Sequence, residues 1–219
     1  MPSGSGHGYG GVPAEERART RRAQLLDAAL DFMGEGSWRS ATVAELCVRA
    51  GLHKRYFYES FTDLDGVARG VVDLVAEEVA TAALSTFLTL PEDTVLEVQA
   101  RTTLGAVIRV LVDDPRKAQT MFGPVSASLD LLEHRTLARA GLTAVLVEHA
   151  RTIHDVELEA DTLASVAPAF LVGGTGEAVL SWLRNPERSS IEQLIDDITI
   201  LWLITGNGAA DAARHRMGL

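Results

Sequence analysis

One cysteine, Cys47, is all that the 219-residue chain contains. That excludes a disulfide framework and any cysteine-based zinc cluster, and it accords with a reducing interior. No window approaches the roughly 18 uncharged apolar residues of a membrane span. The stretch Met1–Pro13 has glycines but no hydrophobic run, so it does not read as a secretory signal. The expectation is a soluble, cytoplasmic protein with no membrane partner. A GxSxG elbow, a P-loop and a dinucleotide fingerprint are also missing. Gly173-Gly174-Thr175-Gly176 is glycine-rich but lies within an apolar helical segment, not after a strand. His149 and His154 are five apart, about 140° around a helix, so they cannot chelate one ion as an i, i+4 pair does. Asp155, Glu157 and Glu159 beside them read as a solvated turn. The sequence therefore predicts no enzyme, no metal and no cofactor.

What is present is an ordinary globular balance, 47% hydrophobic and 23% charged. The net charge of −10 at first argues against a nucleic-acid partner. Its distribution reverses that. Residues 1–70 hold nine Lys/Arg and nine Asp/Glu, whereas residues 71–219 hold eleven against twenty-one. Within the neutral part, Arg17, Arg19, Arg21 and Arg22 crowd into six positions. A phosphate backbone feels charge within a Debye length of about 8–10 Å, so local clustering outweighs the total. An acidic body with a locally basic head points to two roles in one chain.

Helical periodicity runs through almost every segment from Arg17 onward, with no convincing period-two strand and no internal repeat. The fold class expected is all-α, with about nine helices. Residues 1–16, with five Gly and two Pro, read as a flexible leader. Residues 17–66 form a head and 67–219 a body. In the first helix Leu25, Leu26, Ala29, Phe32 and Met33 share one face, and Gly34 and Gly36 stop it. The long helix starting after Asp63 presents Leu64, Val67, Ala68, Val71 and Val75 and leaves the head for the body. Further helices are expected over 92–112, 115–122, 126–153, 158–184 and 189–206. Asp114-Pro115 makes an N-cap and N1 pair, and Pro168 should kink or break its segment.

The informative stretch is Thr42 to Phe61. Thr42-Val43-Ala44-Glu45 is a capping box, in which hydroxyl and carboxylate each satisfy an orphan N–H. Val43, Leu46, Cys47 and Ala50 then fall on one buried face, and Gly51 ends the helix where a positive φ is often needed. After Leu52, a second short helix runs over about His53–Ser60, with Phe57 and Phe61 inward. Two helices joined by a tight Gly-containing turn form a helix-turn-helix, whose second helix fits the roughly 12 Å major groove. The outward residues of that helix are Lys54, Arg55, Tyr56, Tyr58 and Glu59.

These residues carry a resemblance. Leu25-Leu26-Asp27-Ala28-Ala29, Thr42-Val43-Ala44-Glu45-Leu46, Ala50-Gly51-Leu52 and Phe57-Tyr58-Glu59-Ser60-Phe61 agree in order and spacing with the DNA-binding domain of the tetracycline-repressor (TetR) family. The match covers residues 20–75, about a quarter of the chain. It implies a homodimer that binds a palindromic double-stranded DNA operator and is released by a small-molecule effector. Five positions depart from the pattern. His53 stands where Ser or Thr normally caps the recognition helix, and it is a weaker cap. Arg55 and Tyr56 replace small residues. Ser60 and Leu64 stand where His or Tyr, and Lys, often contact DNA, a loss the Arg17–Arg22 arm can offset.

Roles follow from chemistry. Arg55 and Lys54 suit guanine O6 and N7, and Tyr56 a thymine methyl or the backbone. Tyr58 and Thr42 suit phosphates, which fix register without reading sequence. With Arg22 and His53 these are the candidate DNA contacts. The bland alternatives are a half-buried packing role for Tyr58 and a solvated charge run for the arginines. In the body, residues 189–206 are apolar nearly all round, and Gly174 permits close helix approach. Gly174, Trp182, Leu194, Ile198, Leu201 and Trp202 are the expected two-fold interface, built as a four-helix bundle. Gln99, Thr102, Thr103, Met121, Phe122, Phe170 and Glu177 are the expected effector lining, apolar walls with a few polar groups. A ligand-responsive repressor is the primary reading. The rivals are an enzyme on a helical scaffold and a helical ligand-binding or interaction protein with a degenerate head.

Overall fold

The computed structural model describes residues 13–91, 93–124, 128–154 and 162–218, with backbone alone for 145–154 and 164–165. Among the described residues there are nine α-helices and no strand. Three build the head: α1 (Ala14–Gly34), α2 (Val43–Arg49) and α3 (Lys54–Ser60). Six follow: α4 (Leu64–Thr89), α5 (Leu96–Asp113), α6 (Pro115–Phe122), α7 (Leu129–His154), α8 (Leu163–Arg184) and α9 (Ile191–Met217).

Local chemistry sets these boundaries. The Thr42–Glu45 capping box opens α2: the Glu45 N–H donates to Thr42 Oγ1 at 3.2 Å, and the Thr42 N–H donates to Glu45 Oε2 at 3.0 Å. Asp63 accepts from the Gly66 N–H at 2.7 Å and starts α4. Asp114 caps α6 with Pro115 in its first turn, where the missing proline N–H costs nothing. Gly36 and Gly51 adopt φ values of +71° and +66°, and the chain reverses after α1 and between α2 and α3 at these points.

The core runs without a break from head to body. Leu25, Ala29 and Met33 of α1 are enclosed with Leu46 and Cys47 of α2 and Phe57 of α3. The α4 residues Val67, Ala68, Val71 and Val75 continue that core into the body. α1 also packs directly on α6, so the head touches the body along two elements. α8 and α9 pack together, and the Trp202 indole N–H donates to Thr175 Oγ1 at 2.7 Å across them.

Several sequence expectations shift. α1 begins at Ala14, so the end of the expected leader is helical and Arg17–Arg22 lie on a helix. Met1–Val12 lie outside the described residues, as do Asp155, Glu157 and Glu159, and nothing is described of the His149 and His154 side chains. α9 extends to Met217, eleven residues past its expected end. Gly206 and Gly208 only lower helix propensity there, while buried Ala210 and Ala213 hold the last turns and Gly218, at φ +75°, ends them. α8 continues through Pro168, which loses one backbone bond near the start of the helix. Val166–Arg184 is long and apolar enough to cross a membrane by length and composition, with a mean hydropathy of 1.3, contrary to the sequence reading. In this fold the same helix packs on α6, α7 and α9.

Candidate nucleic-acid interface

Helix α3 is fastened from behind and open in front. Phe57 and Phe61 enter the head core, Phe57 with no exposed surface. Two arginines of α1 clasp the same helix. Arg21 lies 4.4 Å from the Tyr56 ring centroid and pairs with Glu59 at 3.3 Å. Arg22 lies 4.2 Å from the Phe61 ring centroid and donates to the Ser60 carbonyl at 3.4 Å, at the C-terminal end of α3. Both contacts span 38 residues of sequence, which is why the arginine run reads there only as a basic arm.

On the open side, His53, Lys54, Arg55, Tyr58 and Glu59 are exposed, and Tyr58 stands edge-on to Phe57 with 63% of its surface free. Tyr56 is half-buried between the guanidinium groups of Arg21 and Arg55, and Arg55 also hydrogen-bonds its hydroxyl. Helix α3 thus presents a preset Arg55–Tyr56 pair with Lys54 alongside. His53 makes no side-chain cap bond, as its weak capping chemistry predicts. Thr42 forms the expected capping box: its hydroxyl donates to Glu45 Oε2 at 2.8 Å and its N–H to the same carboxylate. Thr42 is therefore a cap, with its donors already committed. Cys47 is buried, and burial pushes its thiol pKa up, against the opposing pull of Lys54. A buried thiol of raised pKa is unreactive.

The residues expected to line an effector site do not converge on one cavity among the described residues. Met121 is fully packed, and Phe122 lies against Gly176. Gln99 donates to the Thr94 carbonyl and Thr102 to the Val98 carbonyl, both at 2.7 Å, and Thr103 is half-buried. Phe170 is 67% exposed, and Glu177 is exposed and paired with Arg184 at 3.0 Å. Helical spacing could not show which side of α8 faces inward, because α8 is apolar on both. An open cleft of about 370 Å³ lies elsewhere, between α1, α6 and α8, where Asp31, Glu35, Arg116 and Arg184 meet.

The expected two-fold face also divides. Leu194 and Ile198 are core residues of the protomer, at 9% and 3% exposure, enclosed with Leu104 and Ile108 of α5. Trp182 is half-buried and donates to the Ser189 carbonyl at 2.9 Å, and Trp202 is held by Thr175. Gly174 and Leu201 do face outward. Val166 and Phe170 of α8, with Ile200, Leu201 and Ile204 of α9, are the exposed large apolar side chains of this helix pair.

Two features escaped sequence reasoning. Arg116, at the start of α6, pairs with Asp114 at 2.8 Å, Asp31 at 2.5 Å and Asp27 at 3.1 Å, bolting body to head. Arg135 of α7 is buried and donates to the end of α6. Among the described residues no group of three or more His, Cys, Asp or Glu is placed to hold a metal ion.

No protein-family model matches the chain. A 72-residue stretch is 31% identical to the HTH-type transcriptional regulator BetI of Klebsiella pneumoniae (strain 342), covering 33% of this chain and 37% of that protein. The chain thus matches little more than a third of that relative's length. Among solved structures, a TetR-family transcriptional regulator from Streptomyces coelicolor superposes with a TM-score of 0.68 at 17% identity, over 94% of this chain and 87% of that one. The transcriptional regulator FadR from Bacillus subtilis, in complex with stearoyl-CoA, gives a TM-score of 0.63 at 17% identity, over 82% of this chain and 96% of that one. Such likeness shows the fold: an all-helical fold shared with TetR-family regulators.

Proposed function

We propose that this chain, built on the fold of the TetR-family regulators, is a ligand-responsive DNA-binding transcriptional regulator. In this reading it is a repressor, released from a palindromic operator by a small molecule, and not an enzyme. Residues 17–66 are the DNA-binding head and 67–219 the effector-binding and dimerisation body. It works as a cytoplasmic homodimer without a cofactor. The observation that carries the reading is the orientation of α3: Phe57 seals its inner side while Lys54, Arg55 and Tyr58 stand in solvent on a helix clasped by Arg21 and Arg22. Two cations grouped with an exposed tyrosine on one face of a seven-residue helix suit phosphates and base edges.

One such helix reads only a few base pairs, so two are needed, about 34–36 Å apart. The outward apolar side chains of α8 and α9 supply a surface for pairing two copies. The stearoyl-CoA in the Bacillus subtilis neighbour supports a small-molecule effector for this chain too. Such a ligand acts through its differential affinity for two head spacings, with α4 and the α1–α6 contact as the mechanical link. A hundredfold loss of operator affinity requires about 2.7 kcal/mol of coupling.

Selection of bound fragments from random DNA, followed by fluorescence polarisation, tests this. The expected result is a palindrome bound with an affinity that falls steeply with salt. Arg55→Ala should cost about 1–3 kcal/mol on the selected site and relax preference at one position of each half-site. Absence of any salt-dependent DNA binding would instead support the interaction protein with a degenerate head, in line with Ser60 and Leu64.

A further inference from the structure

Arg135 is the only charged side chain fully enclosed among the described residues, at 4% exposure. It reaches from α7 to the C-terminal end of α6, where Nη2 donates to the carbonyls of Met121 and Gly123, both at 2.9 Å. Those carbonyls carry the negative end of the α6 dipole and partly compensate the cation. They occupy one nitrogen of the fork. Nε is buried and has no partner.

No carboxylate pairs with Arg135 among the described residues. The other charge acting on it is Arg139, one turn along α7 and of the same sign, itself in no ion pair among the described residues. Burial, and secondarily Arg139, push the Arg135 guanidinium down to about 10. A buried cation with a donor to spare and a like charge beside it lacks one component, an anion. The side chains around Arg135 are apolar and close-packed, so whatever carries that anion has to displace them with an apolar body of its own. Met121 and Leu131 are fully buried, and Phe122 packs on Gly176 of α8. A small hydrated anion would find little to replace its water there.

We infer that Arg135, with Arg139 beside it, is the docking point for the anionic head of an amphiphilic effector, a carboxylate or phosphate group on an apolar body. This rests on the regulator reading above and names its ligand class. An anionic oxygen accepting from Nε supplies the missing bond and offsets the paired positive charges. The position also gives the ligand leverage. It binds at one end of α6, and Arg116 at the other end grips Asp27 and Asp31 of α1.

Isothermal titration of the full chain, without DNA, with dodecanoate, dodecyl phosphate and dodecanol tests the inference. The expected result is at least tenfold tighter binding of one anionic probe than of the alcohol. Arg135→Gln should bring that ratio to about one, and Arg139→Gln should lower it severalfold. The better of the two anions identifies the head group. A wild-type ratio near one overturns the inference, as does an unchanged ratio in a folded Arg135→Gln protein. If that variant loses its cooperative melt, the wild-type ratio and Arg139→Gln decide alone. Polarisation with the selected operator runs in parallel: failure there removes the regulator reading while the anion preference stands or falls by titration.

Discussion

Gly176 shows how a single position can be dictated by its neighbour. A Cβ built on it would overlap the Phe122 ring, so α6 and α8 meet at a point where only hydrogen fits. Two effects oppose each other in Gly176→Ala. Helix propensity favours alanine by about 1 kcal/mol, whereas overpacking costs about 1–3 kcal/mol. The expected outcome is a net loss of stability in urea denaturation, partly recovered when Phe122→Leu is added. A stabilised Gly176→Ala protein would show that the ring moves aside freely. Residues of this kind mark the limit of what the chain reveals when read linearly. Thr42 with Glu45 and Asp63 with Gly66 were legible because cap and partner lie within one turn. Arg21, Arg22 and Arg135 were not, because their partners arrive from other helices, 12 to 38 residues away.

Among the elements, α6 is short but holds the two halves together. Its N-cap Asp114 accepts from Arg116, and that bond, ahead of the opposing desolvation, holds the Asp114 carboxyl below its usual range. The same contact and that of Asp31 hold the Arg116 guanidinium well above its own. A carboxyl whose folded pKa is depressed adds stability that is present above its unfolded value, about 3.9, and is lost as pH falls through the folded one. Urea midpoints should therefore drop between about pH 5 and pH 3. Asp114→Asn should flatten that drop and, because asparagine caps a helix about as well as aspartate, cost up to about 1 kcal/mol at pH 7 through the lost ion pair with Arg116. An unaltered acid limb in the variant would remove Asp114 from this role. Helix identities were readable throughout because each carries its own period. Their ends were less so: α9 ran past two glycines because the packing of Ala210 and Ala213 outweighs a propensity cost of about 1 kcal/mol per glycine.

For the whole molecule the decisive question is which apolar surface is left over once one chain has folded. Apolar periodicity alone assigned Leu194, Ile198 and Leu201 to one face, but three-dimensional packing separates them. Leu194 and Ile198 fill the protomer core, while Leu201 is 59% exposed beside Ile200 and Ile204. The charge layout points the same way. An acidic body carrying the whole net charge of −10 repels its own copy, so association needs an uncharged face. The exposed apolar side chains of α8 and α9 provide one. Leu201→Glu, or Phe170→Asp on α8, should leave each protomer folded, since both side chains stand largely in solvent on the single chain, with the thermal melt lowered only by the lost association. Sedimentation velocity should nevertheless report a monomer at micromolar concentration. Operator affinity in the same variants should fall by on the order of 10²-fold or more, because the second head no longer binds at the effective concentration set by the first. Ile198→Glu is the contrasting case: with 3% exposure it should abolish cooperative folding rather than dissociate a dimer. If Leu201→Glu stays dimeric with full operator affinity, the two heads are joined through some other surface, and the α8–α9 face has a different use.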